Sequence, residues 1–209
     1  MTGLLLIGGG GHCKAAIDVI EEEGRFTIAG IVERDDTDKA PVLGYPLVGT
    51  DGDLPDLVNT YRAAIVTIGQ IKTPEPRIRA FNAAQAAGAD LPVVVSPRAH
   101  VARSATLQDG TLVMHGAIVN ADAAIGRNCI VNSLALVEHD ARIGDHCHIA
   151  TGARINGGVA IADGCFIGSG AIIINGVSIG AGSVVGAGCV VREDLPAASV
   201  VTHTQRRSA

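Results

Sequence analysis

The chain has 209 residues, 27 of them glycine, with two Tyr, three Phe and no Trp, so its one or two domains must build their cores from Val, Ile, Leu and Ala. The formal charge is −5 with no basic block, which argues against a nucleic-acid partner. Apolar runs break within about ten residues, too short to span a bilayer, and the N-terminal stretch has neither a charged n-region nor a cleavage site, so the expected location is cytoplasmic.

In chain order, residues 4–7 (Leu-Leu-Leu-Ile) read as a buried strand, Gly8-Gly9-Gly10-Gly11-His12 as a glycine turn, and Cys13–Glu21 as a helix with Ala16, Ile17 and Ile20 on one face. Strand, turn and helix make the first half of a nucleotide-binding βαβ unit. The turn lets a phosphate approach the backbone, and the helix N-terminus supplies N–H groups and positive potential. Gly8-x-Gly10-x-x-Cys13 lacks the third glycine of the dinucleotide fingerprint.

Residues 27–33 read as a second strand ending in Glu33-Arg34-Asp35-Asp36, where an acid commonly meets a ribose or base. Leu43–Gly49 reads as a turn-rich connection, Ala63–Ile68 as a third strand closed by Gly69, and Arg77–Ala87 as a helix ended by Gly88. This small Rossmann-like α/β domain, residues 1–94, has room for a mononucleotide and is short for NAD.

From Val95 an aliphatic residue recurs at every sixth position through Val191, with a small residue at nearly every fifth position of each block. Residues 95–196 hold 17 such hexapeptides without an insertion. The pattern specifies a solenoid with short walls, three to a coil. Residues 18 apart then stack about 4.8 Å from each other along the axis. Cys129, Cys147 and Cys165 are spaced in that way and read as a dry column of small side chains. Residues 197–209 are left as a polar, basic tail.

The frame [LIV]-G-x-x-[small]-x, clearest in Ile143–His148, Ile167–Ile172 and Ile179–Val184, resembles the hexapeptide acyltransferases. That resemblance implies an all-β left-handed parallel β-helix and assembly as a homotrimer. The order GGGGHCK, then Val-Glu-His-Asp, then Ile-Gly-Asp-His-Cys-His-Ile, is similar to the nucleotide-sugar N-acetyltransferases, including bacterial enzymes acting on the 4-amino group of UDP- or GDP-linked 4-amino-4,6-dideoxyhexoses. Sialic-acid O-acetyltransferases are their relatives. The implied co-substrate is acetyl-CoA, with no metal, and the implied partner is a nucleotide-diphosphate amino sugar bound between subunits.

Acetylating an amine requires a base, because a proton must leave nitrogen as it attacks the thioester. His139 has suitable chemistry, and Glu138 or Asp140 is placed to orient its ring; the resemblance selects Asp140. Gly157 falls one coil after His139 and is a candidate oxyanion donor through its N–H. The resemblance further implies acetyl-CoA contacts at His148, Ser169 and Ala187, and nucleotide-sugar contacts at Gly10, Gly11, His12, Glu33, Arg34 and Gly69. His146 reads as a solvated neighbour, and His100 and His115 as structural. His139, His146 and His148 are not coil-aligned, so a zinc site is rejected. Glu-Arg stands where the family carries two acids, which leaves the base open, and Val201–Arg206 replaces a Gly-x-Pro-Ala segment near CoA. Three other functions remain open at this point: sugar O-acetylation, a non-catalytic nucleotide-binding scaffold, and a nicotinamide-dependent enzyme.

Overall fold

The computed structural model describes residues 2–34 and 40–202. The N-terminal part is a four-stranded parallel sheet of β1 (Thr2–Ile7), β2 (Phe26–Glu33), β3 (Leu47–Thr50) and β4 (Ala63–Val66), in the order β3-β2-β1-β4. Helix α1 (Gly11–Glu23) buries Cys13, Ala16, Ile17, Val19 and Ile20 on one side of the sheet. Helices α2 (Leu54–Tyr61) and α3 (Glu75–Ala86) pack on the other side, where Leu54, Val58 and Ala84 join a core with Leu5, Ile7 and Val32. The connection expected at residues 43–49 contains β3, and α2 follows it. Both are short, and the Gly-Tyr-Pro turn signal masks the strand. The Asp35-Asp36 pair lies outside the described residues.

The second part is a triangular coil of two-residue strands, every third strand pairing in parallel. Wall one runs from Val94–Val95 to Val200–Val201, wall two from His100–Val101 to Val190–Val191, and wall three from Thr106–Leu107 to Ser178–Ile179. The 18-residue offset appears directly in the register, for example Ile130 opposite His148 and Leu136 opposite Arg154. First and fifth positions of the hexapeptides fill the interior: Val119, Val131, Val137, Ile149 and Ile155 are buried, with Ala123, Cys129, Ala135 and Cys147 between them. Fourth positions turn the corners in the left-handed region, mostly as glycine but also as Asp122, Asn128, Leu134, Asp140 and His146. A non-glycine corner costs roughly 1–2 kcal/mol, whereas a fully buried Val or Ile contributes about 1.5–3 kcal/mol. Each hexapeptide buries one aliphatic side chain and makes one corner, so packing outweighs the strain.

The Cys129, Cys147 and Cys165 thiols do form a column, and each donates to a carbonyl of the next coil: Gly144 at 3.1 Å, Ala162 at 3.2 Å and Gly180 at 3.2 Å. The tail departs from expectation. Val200–Val201 is a further strand of wall one, paired on Val184–Val185 with an offset two residues shorter than elsewhere. Residues 203–209 lie outside the described set.

The two parts share a core. On wall one the outward sixth positions are Leu112, Ile130 and His148, and α1 and β1 cover them: Leu112 and Ile130 are fully buried with Leu4, Ala16 and Ile20. The outward apolar column therefore marks the docking face of the sheet domain. Arg77 of α3 completes the seam, donating to Ile68 O at 2.7 Å, to Asn128 O, and to Asn128 Oδ1 at 3.1 Å. It is 1 % exposed, and burial lowers its pKa to about 10.

Candidate active site

His139 sits on the edge where wall two meets wall three, between Leu136–Val137 and Arg142–Ile143. Asp140 takes the left-handed corner conformation (φ 61°), and its Oδ2 lies 2.8 Å from His139 Nδ1. A carboxylate only accepts, so Nδ1 carries the proton and Nε2 is left as the acceptor. The hydrogen bond to Asp140 is the main cause of a His139 pKa raised above its ordinary value. Both side chains are more than half exposed. Glu138, the other acid considered, accepts from His139 N at 3.2 Å and Asn120 Nδ2 at 2.9 Å, so it holds backbone rather than ring.

Gly157 lies one coil on, directly under the imidazole. A Cβ at this position would stand 2.7 Å from His139 Cε1 and 2.8 Å from Nε2, so the ring occupies the space a side chain would need. The main-chain ladder at the corner fixes the stack: Gly158 N donates to His139 O, and Gly176 N to Gly157 O, each at 3.0 Å. Among the described residues the Gly157 N–H has no acceptor, an unusual condition for a buried glycine.

A second site lies at the C-terminal ends of β1, β2 and β4, a cavity of about 570 Å³ lined by Gly8, Gly10, Glu33, Arg34 and Gly69. Helix α1 opens on Gly10 with no side-chain cap, which leaves first-turn N–H groups for a ligand. No atom comes within 4 Å of where a Cβ on Gly10 or Gly11 would be, so the turn is open on that side. Glu33 accepts from Gly9 N at 2.5 Å and Arg34 N at 3.1 Å, and so braces the glycine turn. Asp51, Pro76 and Arg79 also line the cavity. Sequence reasoning missed them because they enter from η1 (Asp51–Asp53) and α3, far along the chain. A larger groove of about 810 Å³ along wall three holds none of the expected site residues.

His12 and His148 lie in the seam between the two parts, and His12 Cβ is 3.4 Å from where a Cβ on Gly69 would be. His12 is absent from the cavity lining. Its ring stands 6.1 Å from that of His148 in the seam, and its pKa is lowered to about 3, first by burial. His148 is 6 % exposed, with Nδ1 2.8 Å from Gln70 O, Nε2 3.0 Å from Asn132 Nδ2, and Phe166 edge-on at 5.3 Å. Both of its nitrogens are engaged, and burial lowers its pKa to about 4. As a sixth-position residue of wall one, His148 points outward into the space that the sheet domain fills. His146 is likewise not simply solvated: it packs edge-on against Phe81 at 5.6 Å and lies 3.0 Å from Asn128 Nδ2. Ser169 and Ala187 stack on the edge between walls one and two, the opposite edge of wall two from His139, with Gly188 N donating to Ser169 O at 2.8 Å.

Comparisons with known proteins agree with this architecture. The PglD N-terminal domain family matches residues 3–80, and the bacterial transferase hexapeptide (six repeats) family matches residues 122–157 and 158–193. No curated protein matches. Among solved structures, GDP-perosamine N-acetyltransferase from Caulobacter crescentus, a variant with one histidine replaced by alanine in complex with CoA and GDP-perosamine, is 38 % identical, with TM-score 0.88 over 96 % of this chain and 93 % of that one. The acetyltransferase domain of PglB from Neisseria gonorrhoeae is 31 % identical over 98 % of both chains, with TM-score 0.87. WeeI from Acinetobacter baumannii is 23 % identical over 98 % of both, with TM-score 0.82, and shares the fold. With its PglD-type N-terminal domain set on a left-handed parallel β-helix, the chain belongs to the nucleotide-sugar N-acetyltransferases of the hexapeptide-repeat acyltransferase superfamily.

Proposed function

We propose that the protein moves an acetyl group from acetyl-CoA to the 4-amino group of a nucleotide-linked 4-amino-4,6-dideoxyhexose, with His139 as general base. The observation that carries this reading is the His139–Asp140 pair, whose fixed tautomer leaves Nε2 free above the Gly157 backbone. Nitrogen of the neutral amine attacks the thioester carbonyl, and His139 Nε2 takes its proton. Asp140 stabilises the imidazolium. The tetrahedral oxyanion accepts from the Gly157 N–H. Collapse breaks the C–S bond, and the imidazolium returns the proton to the departing CoA thiolate.

In this reading the nucleotide diphosphate lies on the glycine turn at Gly10, Gly11 and His12, beside Glu33, Arg34 and Gly69, and His148 serves the acyl donor. CoA runs past Ser169 and Ala187. These two are across wall two from His139, which favours sites assembled between subunits, and the hexapeptide family implies a homotrimer. Exposed apolar side chains at Ile118, Leu134 and Val190 support that association. The division is residues 1–94 for the nucleotide sugar and 95–196 for acyl transfer, with 197–209 as the C-terminal segment and a cytoplasmic location. Among the described residues, no helix is long and apolar enough to cross a membrane.

The test is thiol release from acetyl-CoA with GDP-, UDP- and dTDP-linked 4-amino sugars, against free and CMP-linked sialic acid. The GDP-linked sugar comes first, since the Caulobacter relative binds GDP-perosamine. Turnover is expected with an amino sugar, and loss by about two to four orders in His139→Ala. Turnover confined to the sialic acids overturns the reading. Sedimentation showing a fully active monomer overturns the trimer.

A further inference from the structure

The corner that holds His139 continues one coil beyond Gly157, to Asn175. Asn175 Nδ2 stands 3.3 Å from the place a Cβ on Gly157 would take, on the same unfilled position that His139 covers with Cε1 and Nε2. Asn175 is exposed and, among the described residues, makes no hydrogen bond to the rest of the chain. A histidine acceptor, an uncapped glycine N–H and a free carboxamide therefore meet around one gap in the wall.

A second edge of the same solenoid shows what that gap would otherwise contain. Where wall three meets wall one, the equivalent third positions are Arg127, Asp145 and Asp163. There each acid accepts the main-chain N–H one coil earlier: Arg127 N to Asp145 Oδ1 at 2.7 Å, and Asp145 N to Asp163 Oδ1 at 2.8 Å. Asn175 has that same relation to Gly157. It is an amide rather than a carboxylate, and it leaves the N–H uncapped. An amide N–H₂ adds a donor where an acid would remove one.

Resting on the acetyl-transfer reading above, we infer that Asn175 is a further catalytic residue, donating from Nδ2 to the oxyanion beside the Gly157 N–H. Two donors converging on one oxygen are the usual construction of such a site, and loss of one lowers kcat by about 10²–10³-fold.

The test uses the full chain, the acceptor that wild type turns over, and three variants assayed together. Asn175→Ala is expected to lower kcat by about 10²-fold or more, with KM for acetyl-CoA within about threefold, an unchanged melting temperature and an unchanged acidic limb of the pH profile. Asn175→Asp is expected to cap the Gly157 N–H as Asp145 caps Arg127, and to be slower than the alanine variant at equal or higher melting temperature. An alanine variant within threefold of wild type overturns the assignment, as does an aspartate variant faster than alanine. His139→Ala is the third arm: inactivity there beside an active Asn175→Ala removes Asn175 alone, whereas activity in both removes the underlying base mechanism.

Discussion

Arg77 and Asn128 bond each other in both directions across the seam: the guanidinium donates to Asn128 Oδ1 at 3.1 Å, and Asn128 Nδ2 donates to Arg77 O at 3.3 Å. Asn128 is a left-handed corner of the solenoid (φ 51°), so one strained residue of one domain is matched to one buried cation of the other. Arg77→Ala strands the Ile68 and Asn128 acceptors away from water. A loss of about 3 kcal/mol is expected, read as a lower urea midpoint, because each stranded buried acceptor keeps its desolvation cost.

Gly157→Ala separates folding from catalysis. The φ of Gly157 is not in the left-handed region, so an alanine backbone is unstrained there. The clash, at 2.7 Å, is with the end of the His139 ring, which swings aside. Melting temperature is expected to stay within a few degrees, while kcat falls about 10²-fold from misplacing the base. A large drop in melting temperature at retained kcat contradicts the stacking.

The His139–Asp140 pair sets the pH profile. A base must be neutral, so activity disappears as pH falls through the His139 pKa. The hydrogen bond to Asp140 raises that pKa above its ordinary value. Asp140→Asn is expected to move the acidic limb of kcat/KM to lower pH and to reduce the plateau by at least tenfold. A limb that stays in place assigns the titration to another group.

The seam predicts acid sensitivity. His12 and His148 titrate near 3 and 4 when folded, against 6.5 when unfolded. Between those values the unfolded chain binds more protons, so their contribution is complete above pH 6.5 and is lost as pH falls below it. One unit below 6.5, each histidine forfeits about 1.4 kcal/mol. Urea midpoints between pH 7.5 and 5.5 should fall in wild type and fall less in His148→Phe.

The repeating half of the molecule was legible because its period is local: every Val, Ile or Leu at a first position announces its own direction. Gly157 followed from the same arithmetic, since an 18-residue offset is a neighbour relation, whereas His139 rested on its base chemistry and the family resemblance, and Asp140 on the resemblance. The glycine turn was legible from strand-turn-helix chemistry. What the sequence concealed is contact between the two parts. Nothing near Arg77 announces Asn128, and nothing near His148 announces Gln70, because the docking angle of the sheet domain is set by many apolar contacts at once. His148 was read from its motif, which is silent about which wall a neighbouring domain covers. The shortened last coil escaped because Val200–Val201 resumes the wall after a break of two residues in the count.

The fixed register has a metrical consequence. The sheet domain is bolted to particular coils through Leu112 and Ile130 of wall one and the Asn128 corner, so the axial offset from the glycine turn to His139 is fixed. The solenoid is a gauge graduated in steps of about 4.8 Å. A longer or shorter substrate cannot be accommodated by stretching it. Its reach changes only by inserting or deleting 18 residues at a time, or by exchanging side chains at the two ends of the scale.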